Sequence, residues 1–244
     1  MGMAGLHFAI NVVSHCNLKC NFCNHHASFT PKMEMQPEDY IQHFEQFSKK
    51  CGNIGGIRLS GGEPFLHSNL AHFVKSIRPH TPRLIITSNM TWLKSEADLE
   101  SRADIFNNVD EFFASIYQHD DKIPLAQQIS KFGVQVVIRR IKNFVRSEFL
   151  NQNEEVTRRC SQRDMTNLLI NGKLARCPVV AYANYNPQVT QGFLSAREDD
   201  FFDLYGDADF ETWKREWPFR TCHYCTLWRN KKAPWSIRKA KIYG

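Results

Sequence analysis

The arrangement of its cysteines constrains this chain more than any other feature. Eight occur in 244 residues, and seven of them fall into two groups. Cys16, Cys20 and Cys23 form a tight trio, spaced Cys-x3-Cys-x2-Cys. Cys160, Cys177, Cys222 and Cys225 are spread through the last third, and Cys51 stands alone. The opening, Met1 to Leu6, has neither the basic nor the apolar region of a secretory signal. Leu6 also stands where a myristoylation motif needs Ser or Thr. No run approaches the roughly 18 apolar residues of a membrane span. The expected location is therefore cytoplasmic, where thiols serve metals or catalysis in preference to disulfides.

The chain is 42% hydrophobic with 18 phenylalanines, enough to bury one sizeable core. Apolar, β-rich runs at Phe8 to Val13, Gly56 to Ser60, Leu84 to Thr87, Glu111 to Ile116 and Val134 to Arg139 alternate with amphipathic stretches. Pro37 suits a first helical position, followed by Tyr40, Ile41, Phe44 and Phe47 at helical spacing. Ser68 is a candidate N-cap, Ser95 and Pro124 open two further helices, and Gly133 closes the last. Apolar strands separated by helices predict right-handed βαβ units and a parallel sheet. Five such units are too few to close an eight-stranded barrel. The expected fold class is α/β, with a partial barrel of about five parallel strands in residues 1–145. Residues 146–244 read differently: Leu168 to Leu174 predicts a β-hairpin turning at Asn171-Gly172, and Asp209 to Glu216 a short helix. This small, cysteine-rich extension shows no apolar core of its own, so its four cysteines are expected to hold it together.

The trio follows the first strand, which places it on the carboxyl face of the sheet, the active-site face of an α/β barrel. Three thiolates do not fill a four-coordinate shell. Either a ligand such as His15, His25 or His26 completes a zinc site, or one iron of a cluster stays open as a reagent. The trio, with the apolar Phe22 before its last cysteine, resembles the signature of the radical S-adenosylmethionine superfamily. Further resemblances lie at the ends of successive strands. They are Gly61-Gly62-Glu63-Pro64 after the second, Thr87-Ser88-Asn89 after the third and Ser115 on the fourth. Met90 follows where that family has glycine. The resemblance implies a 4Fe-4S cluster on Cys16, Cys20 and Cys23, whose open iron chelates the amino and carboxylate groups of S-adenosylmethionine. It also implies cofactor contacts from Phe22, Gly61, Gly62, Glu63, Asn89 and Ser115. Reductive cleavage of the cofactor would then yield a 5′-deoxyadenosyl radical that abstracts hydrogen from a substrate.

Four thiolates make a closed shell, suited to structural zinc or to a fully ligated 4Fe-4S cluster. The hairpin, the Arg176-Cys177-Pro178 segment and the Cys222-His-Tyr-Cys225 loop resemble the Twitch extension, a shortened SPASM domain. That resemblance implies an auxiliary 4Fe-4S cluster on Cys160, Cys177, Cys222 and Cys225. The length, the short barrel and the quartet spacing look like those of Twitch-bearing aminocyclitol dehydrogenases from natural-product pathways.

Substrate residues are less legible. Those expected on the carboxyl face are His25, His26, His67, Asn89, Gln118, Arg139 and Arg140, with His25, His67, Arg139 and Arg140 the catalytic candidates. An arginine there can pair with a carboxylate or a substrate oxygen, and a histidine can accept a proton. The expected activity is two-electron oxidation of a small hydroxylated metabolite of aminocyclitol or sugar type. Radical epimerisation, dehydration or crosslinking, including on a peptide, is the alternative. A non-catalytic iron-sulfur or zinc module is a distant one. Cys51, at the end of the first helix, is expected on the face opposite the radical, out of reach as a hydrogen-atom donor. The formal charge of +6 suits an acidic flavodoxin or ferredoxin as electron donor. The basic residues from Arg229 to Lys241 read as a solvated tail, so neither a nucleic-acid nor a membrane partner is expected.

Overall fold

The computed structural model describes residues 5–118, 120–152, 160, 167–216, 218–229 and 231–237. The chain opens with β1 (Leu6–Val13), α1 (Glu38–Cys51), β2 (Ile54–Gly61), α2 (Leu70–Ile77) and β3 (Leu84–Ser88). Two short helices, α3 (Glu96–Glu100) and α4 (Ala103–Phe106), lead to β4 (Glu111–Ile116), α5 (Ile123–Gln128) and β5 (Gln135–Arg140). Beyond these come β6 (Asn143–Val145), β7 (Asn167–Ile170), β8 (Lys173–Ala175), α6 (Pro178–Ala181) and α7 (Gln191–Arg197). The last elements are β9 (Phe201–Asp203), α8 (Phe210–Arg215) and β10 (Lys232–Pro234).

Local chemistry sets the helix ends. Pro37 stands immediately before α1, which lays Tyr40, Phe44 and Phe47 into the core. Asn69, not Ser68, caps α2: its side chain accepts the His72 amide, while the Ser68 hydroxyl donates to Glu34. Ser95 caps α3 in a reciprocal box with Asp98. Gly133, at φ 81°, turns the chain into β5 in the left-handed conformation that glycine adopts at least cost.

The sheet runs β5-β4-β3-β2-β1-β7-β8-β9, and every pairing from β5 to β7 is parallel. The expected partial barrel is observed, but with six parallel strands in place of five. The extra strand, β7, pairs with the edge of β1 that the first five strands leave open. The antiparallel β8 and β9 then widen the sheet. Asn171 and Gly172, at φ 47° and 72°, make the tight turn between β7 and β8. Along each parallel strand the side chains alternate. Phe8, Ile10, Ile57, Leu59, Phe112 and Ala114 pack into the main core, and the intervening residues face the inside of the half-barrel.

The extension differs from expectation in one respect. Leu168, Ala175, Val179, Val180, Phe193 and Leu227 form an apolar cluster around Cys225. The sequence hid this second core because its residues come in pieces too short to show a period. Near its end the chain returns: β10 pairs antiparallel with β6, and Ile237 bridges to Cys20. No helix among the described residues is long and apolar enough to cross a membrane. Arg238, Lys239 and Lys241 of the basic tail lie outside the described residues.

Candidate active site

Cys16, Cys20 and Cys23 line one cavity of about 220 Å³ at the carboxyl ends of β2, β3 and β4. Gly61, Gly62, Asn89, Ser115 and Tyr117 form other parts of its wall. The glycines are there for a steric reason. A Cβ on Gly61 would fall 2.2 Å from the Val13 carbonyl oxygen, and one on Gly62 would fall 1.6 Å from that of His15. Without side chains, the turn after β2 can donate the Gly62 amide to Val13 (2.9 Å) and the Glu63 amide to His15 (3.0 Å). The cofactor motif and the cysteine loop are thereby stitched together.

The Glu63 side chain turns away from the cavity and is fully buried. Its carboxylate accepts the Ser88 hydroxyl at 2.8 Å, the Asn89 amide at 2.7 Å and the Phe65 amide at 3.2 Å. Burial outweighs these donors and pushes its pKa up to about 7. Glu63 thus links the loop after β2 to the loop after β3. Asn89, held by its backbone, directs Nδ2 to Cys16 Sγ at 3.4 Å and to Asn17 Oδ1 at 3.0 Å.

Each sulfur of the trio receives N–H donors. The Leu18 amide reaches Cys16 at 3.3 Å and the Trp235 indole reaches Cys20 at 3.1 Å. Backbone amides of His25, His26 and Ala27 serve Cys23. Burial pushes the Cys16 thiol up to about 12 and Cys20 to about 11, and raises Cys23 as well. Such thiols hold their protons at neutral pH unless a cation replaces them, and the N–H donors then stabilise the thiolate charge. Three thiols lining one cavity, Cys20 buried and Cys16 and Cys23 half-buried, their N–H donors and a wall of bare glycine backbone fit the expected cluster and its ligand.

The remaining candidates separate clearly. His25 lines the cavity, and its buried Nδ1 has no hydrogen-bond partner among the described residues. Burial drives its pKa down to about 4. His26 is committed elsewhere: Nε2–H donates to the Val179 carbonyl at 3.1 Å, and Nδ1 accepts from Asn186 Nδ2 at 2.9 Å. His67, a catalytic candidate by sequence, is likewise spent on backbone, with Nε2–H on Met35 O (2.9 Å) and Nδ1 accepting the Asn69 amide (3.0 Å). Arg140 turns outward and pairs with Asp120 at 3.3 Å, and Gln118 is exposed. Strand alternation instead turns Arg139 into the open half-barrel, its guanidinium 4.3 Å from the Phe113 ring centre. Phe22 does not line the cavity. It sits at φ 59° with its ring toward Arg146, on the other side of the loop.

The four cysteines of the second group, Cys160, Cys177, Cys222 and Cys225, line a second, mostly apolar cavity of about 40 Å³. Burial raises the pKa of Cys177 and Cys222, and that of Cys225 to about 12. Among the described residues, no three His, Cys, Asp or Glu side chains converge so as to hold a single metal ion. Cys51 ends α1 next to the start of β2, at the amino end of the sheet.

Three residues here were not read from the sequence. Tyr117 shares a strand direction with Ser115, so alternation alone pointed to it. Trp235 and Asn186 lie 215 and 160 residues from their partners, and no local pattern reports such contacts.

Comparison with known proteins agrees with this geometry. Two proteins named "Probable GTP 3',8-cyclase", from Pyrococcus abyssi and Thermococcus kodakarensis, are 29% and 33% identical to the chain over 89 residues. Each match covers 36% of this chain and only 28% of the relative. The crystal structure of BtrN in complex with AdoMet and 2-DOIA shares the fold over 92% of this chain and 94% of that one. The TM-score is 0.56 and the identity 20%. The model of the Radical SAM superfamily matches residues 10–160, a stretch that contains the trio, the glycine turn and Asn89. On that match, which spans more than half its length, the chain belongs to the radical S-adenosylmethionine superfamily.

Proposed function

We propose that this chain is a radical S-adenosylmethionine oxidoreductase that removes two electrons from a small hydroxylated metabolite of aminocyclitol or sugar type. Cys16, Cys20 and Cys23 would hold the catalytic 4Fe-4S cluster, and Gly61, Gly62, Asn89 and Ser115 would border S-adenosylmethionine. When bound, these groups supply a 5′-deoxyadenosyl radical for hydrogen abstraction. The chain contributes position and environment. Glu63 fixes the loop of Asn89, Tyr117 and Phe144 form an aromatic part of the cavity wall, and His25, whose Nδ1 has no hydrogen-bond partner among the described residues, would accept the substrate hydroxyl proton.

The placement of the cysteines carries the choice of oxidation. Seven line the two cavities, and Cys51, the eighth, lies at the opposite end of the sheet from the trio. No free thiol is therefore placed to return a hydrogen atom. A substrate that has lost hydrogen in this cavity completes its oxidation by giving up one electron and one proton.

In this reading residues 146–244 act as a Twitch-like extension whose auxiliary 4Fe-4S cluster, on Cys160, Cys177, Cys222 and Cys225, takes that electron. Zinc would draw four sulfurs to about 2.3 Å from one point. Four cysteine sulfurs also complete the shell of a 4Fe-4S cluster, and the electron-accepting task in this reading favours the cluster, because zinc has no redox chemistry. The charge of +6 supports an acidic flavodoxin or ferredoxin as donor. The GTP 3',8-cyclase relatives name a different reaction, but their match covers too little of either chain to transfer a substrate. One observation favours a second reading, radical epimerisation: the Tyr117 phenol lines the trio cavity and can serve as a hydrogen-atom donor.

The test is anaerobic reconstitution, incubation with a metabolite extract, S-adenosylmethionine and reductant, and mass spectrometry. The expected product is two hydrogens lighter than its substrate, forms with one 5′-deoxyadenosine, and is unaffected by Cys51→Ala. A product of unchanged mass carrying solvent deuterium at carbon would replace oxidation by epimerisation.

A further inference from the structure

The returning end of the chain forms a strap across the cysteine loop. Lys232–Pro234 pairs with Asn143–Val145, and Cys20 bridges to Ile237. The Asn21 amide donates to the Ser236 carbonyl at 3.0 Å, and Asn21 Nδ2 donates to the Ser236 hydroxyl at 2.8 Å. Between these ties Trp235 is 8% exposed, its amide on the Lys142 carbonyl and its ring 5.3 Å from that of Tyr117. An indole can only donate, and the Trp235 Nε1–H meets Cys20 Sγ at 3.1 Å. The strap therefore fixes one donor on one sulfur, between an aromatic wall and a sheet of backbone hydrogen bonds.

We infer that Trp235 is a positioning residue for the radical cluster: its indole N–H stabilises negative charge on the Cys20 sulfur and so raises the cluster's reduction potential. The inference rests on Cys20 being a cluster ligand. Adding an electron to a thiolate-bound cluster increases the charge on its sulfurs, and a hydrogen bond to one of them stabilises the reduced state more than the oxidised one. A low surrounding dielectric strengthens the effect. The pairing of β10 with β6 delivers Trp235 to this sulfur.

The test uses the full-length, anaerobically reconstituted protein, with the radical cluster identified by the change in its EPR signal on adding S-adenosylmethionine. Redox potentiometry of that signal should give a more negative midpoint in Trp235→Phe than in the wild type, at equal iron content. Wild-type protein carrying 15N-indole tryptophan should show a 15N hyperfine coupling to the reduced cluster that Trp235→Phe lacks. An unchanged midpoint, or no such coupling in the wild type, overturns the inference. Should Trp235→Phe fail to take up iron, the wild-type coupling decides by itself. Full iron content and an unaltered, cofactor-responsive signal in Cys20→Ala would instead remove the ligand assignment beneath it.

Discussion

The His26 ring joins Asn186 across 160 residues of sequence, Nδ1 accepting from Nδ2 at 2.9 Å. The Gln188 amide, donating to Asn186 Oδ1 at 3.0 Å, fixes that polarity. With Nε2–H on the Val179 carbonyl, a single buried imidazole ties the trio loop to the segment after Cys177. His26→Ala removes both bonds and strands two polar groups, which costs about 2–4 kcal/mol. Denaturant unfolding checks this, and a loss below about 0.5 kcal/mol, the level of an ordinary surface change, would contradict it.

Glu63 predicts a pH effect. Its folded-state pKa, about 7, lies above the ordinary 4.5 because burial disfavours the charged form. Its contribution to stability is therefore full below about pH 4.5 and is lost as the pH rises through 7. The stability of the wild type minus that of Glu63→Gln should fall across this window by on the order of 3 kcal/mol. Other titrating groups are common to both proteins and cancel in the difference. Parallel stability curves would show that the carboxylate does not carry the effect.

Gly62→Ala places a methyl group against the His15 carbonyl oxygen, where neither backbone can yield without moving Cys16. The expected outcome is a folded chain that has lost S-adenosylmethionine binding, seen as an EPR signal that no longer changes on adding the cofactor. Wild-type binding in this variant would show that the close approach of the two loops is dispensable.

The barrel was legible because each βα unit announces itself locally, by an apolar run, a cap or a glycine. Its sixth parallel strand was not, since β7 reads as half of a hairpin and only the open edge of β1 recruits it. At the site, the cysteines and the Gly61–Gly62 turn were readable because their chemistry restricts residue type. His67 misled: a histidine near a strand end looks the same in sequence whether its nitrogens face a substrate or, as here, Met35 and Asn69. Arg139 and Arg140 could be parted only by strand parity. Trp235 was invisible, because what selects it is a tertiary strap.

The two thiol groups should divide the labour. Replacing Cys16, Cys20 and Cys23 by Ala should abolish reductive cleavage of S-adenosylmethionine, measured as 5′-deoxyadenosine. Replacing Cys222 and Cys225 should spare some cleavage but lose product, with circular dichroism to verify the fold. Normal turnover in the second variant would reduce the extension to a structural part.

Metal content tests the central claim most directly. The account gives the anaerobically reconstituted chain two 4Fe-4S clusters, hence about eight iron atoms and no zinc, falling to about four iron in Cys222→Ala/Cys225→Ala. One zinc beside about four iron in the wild type would contradict it, because zinc cannot accept an electron from the substrate.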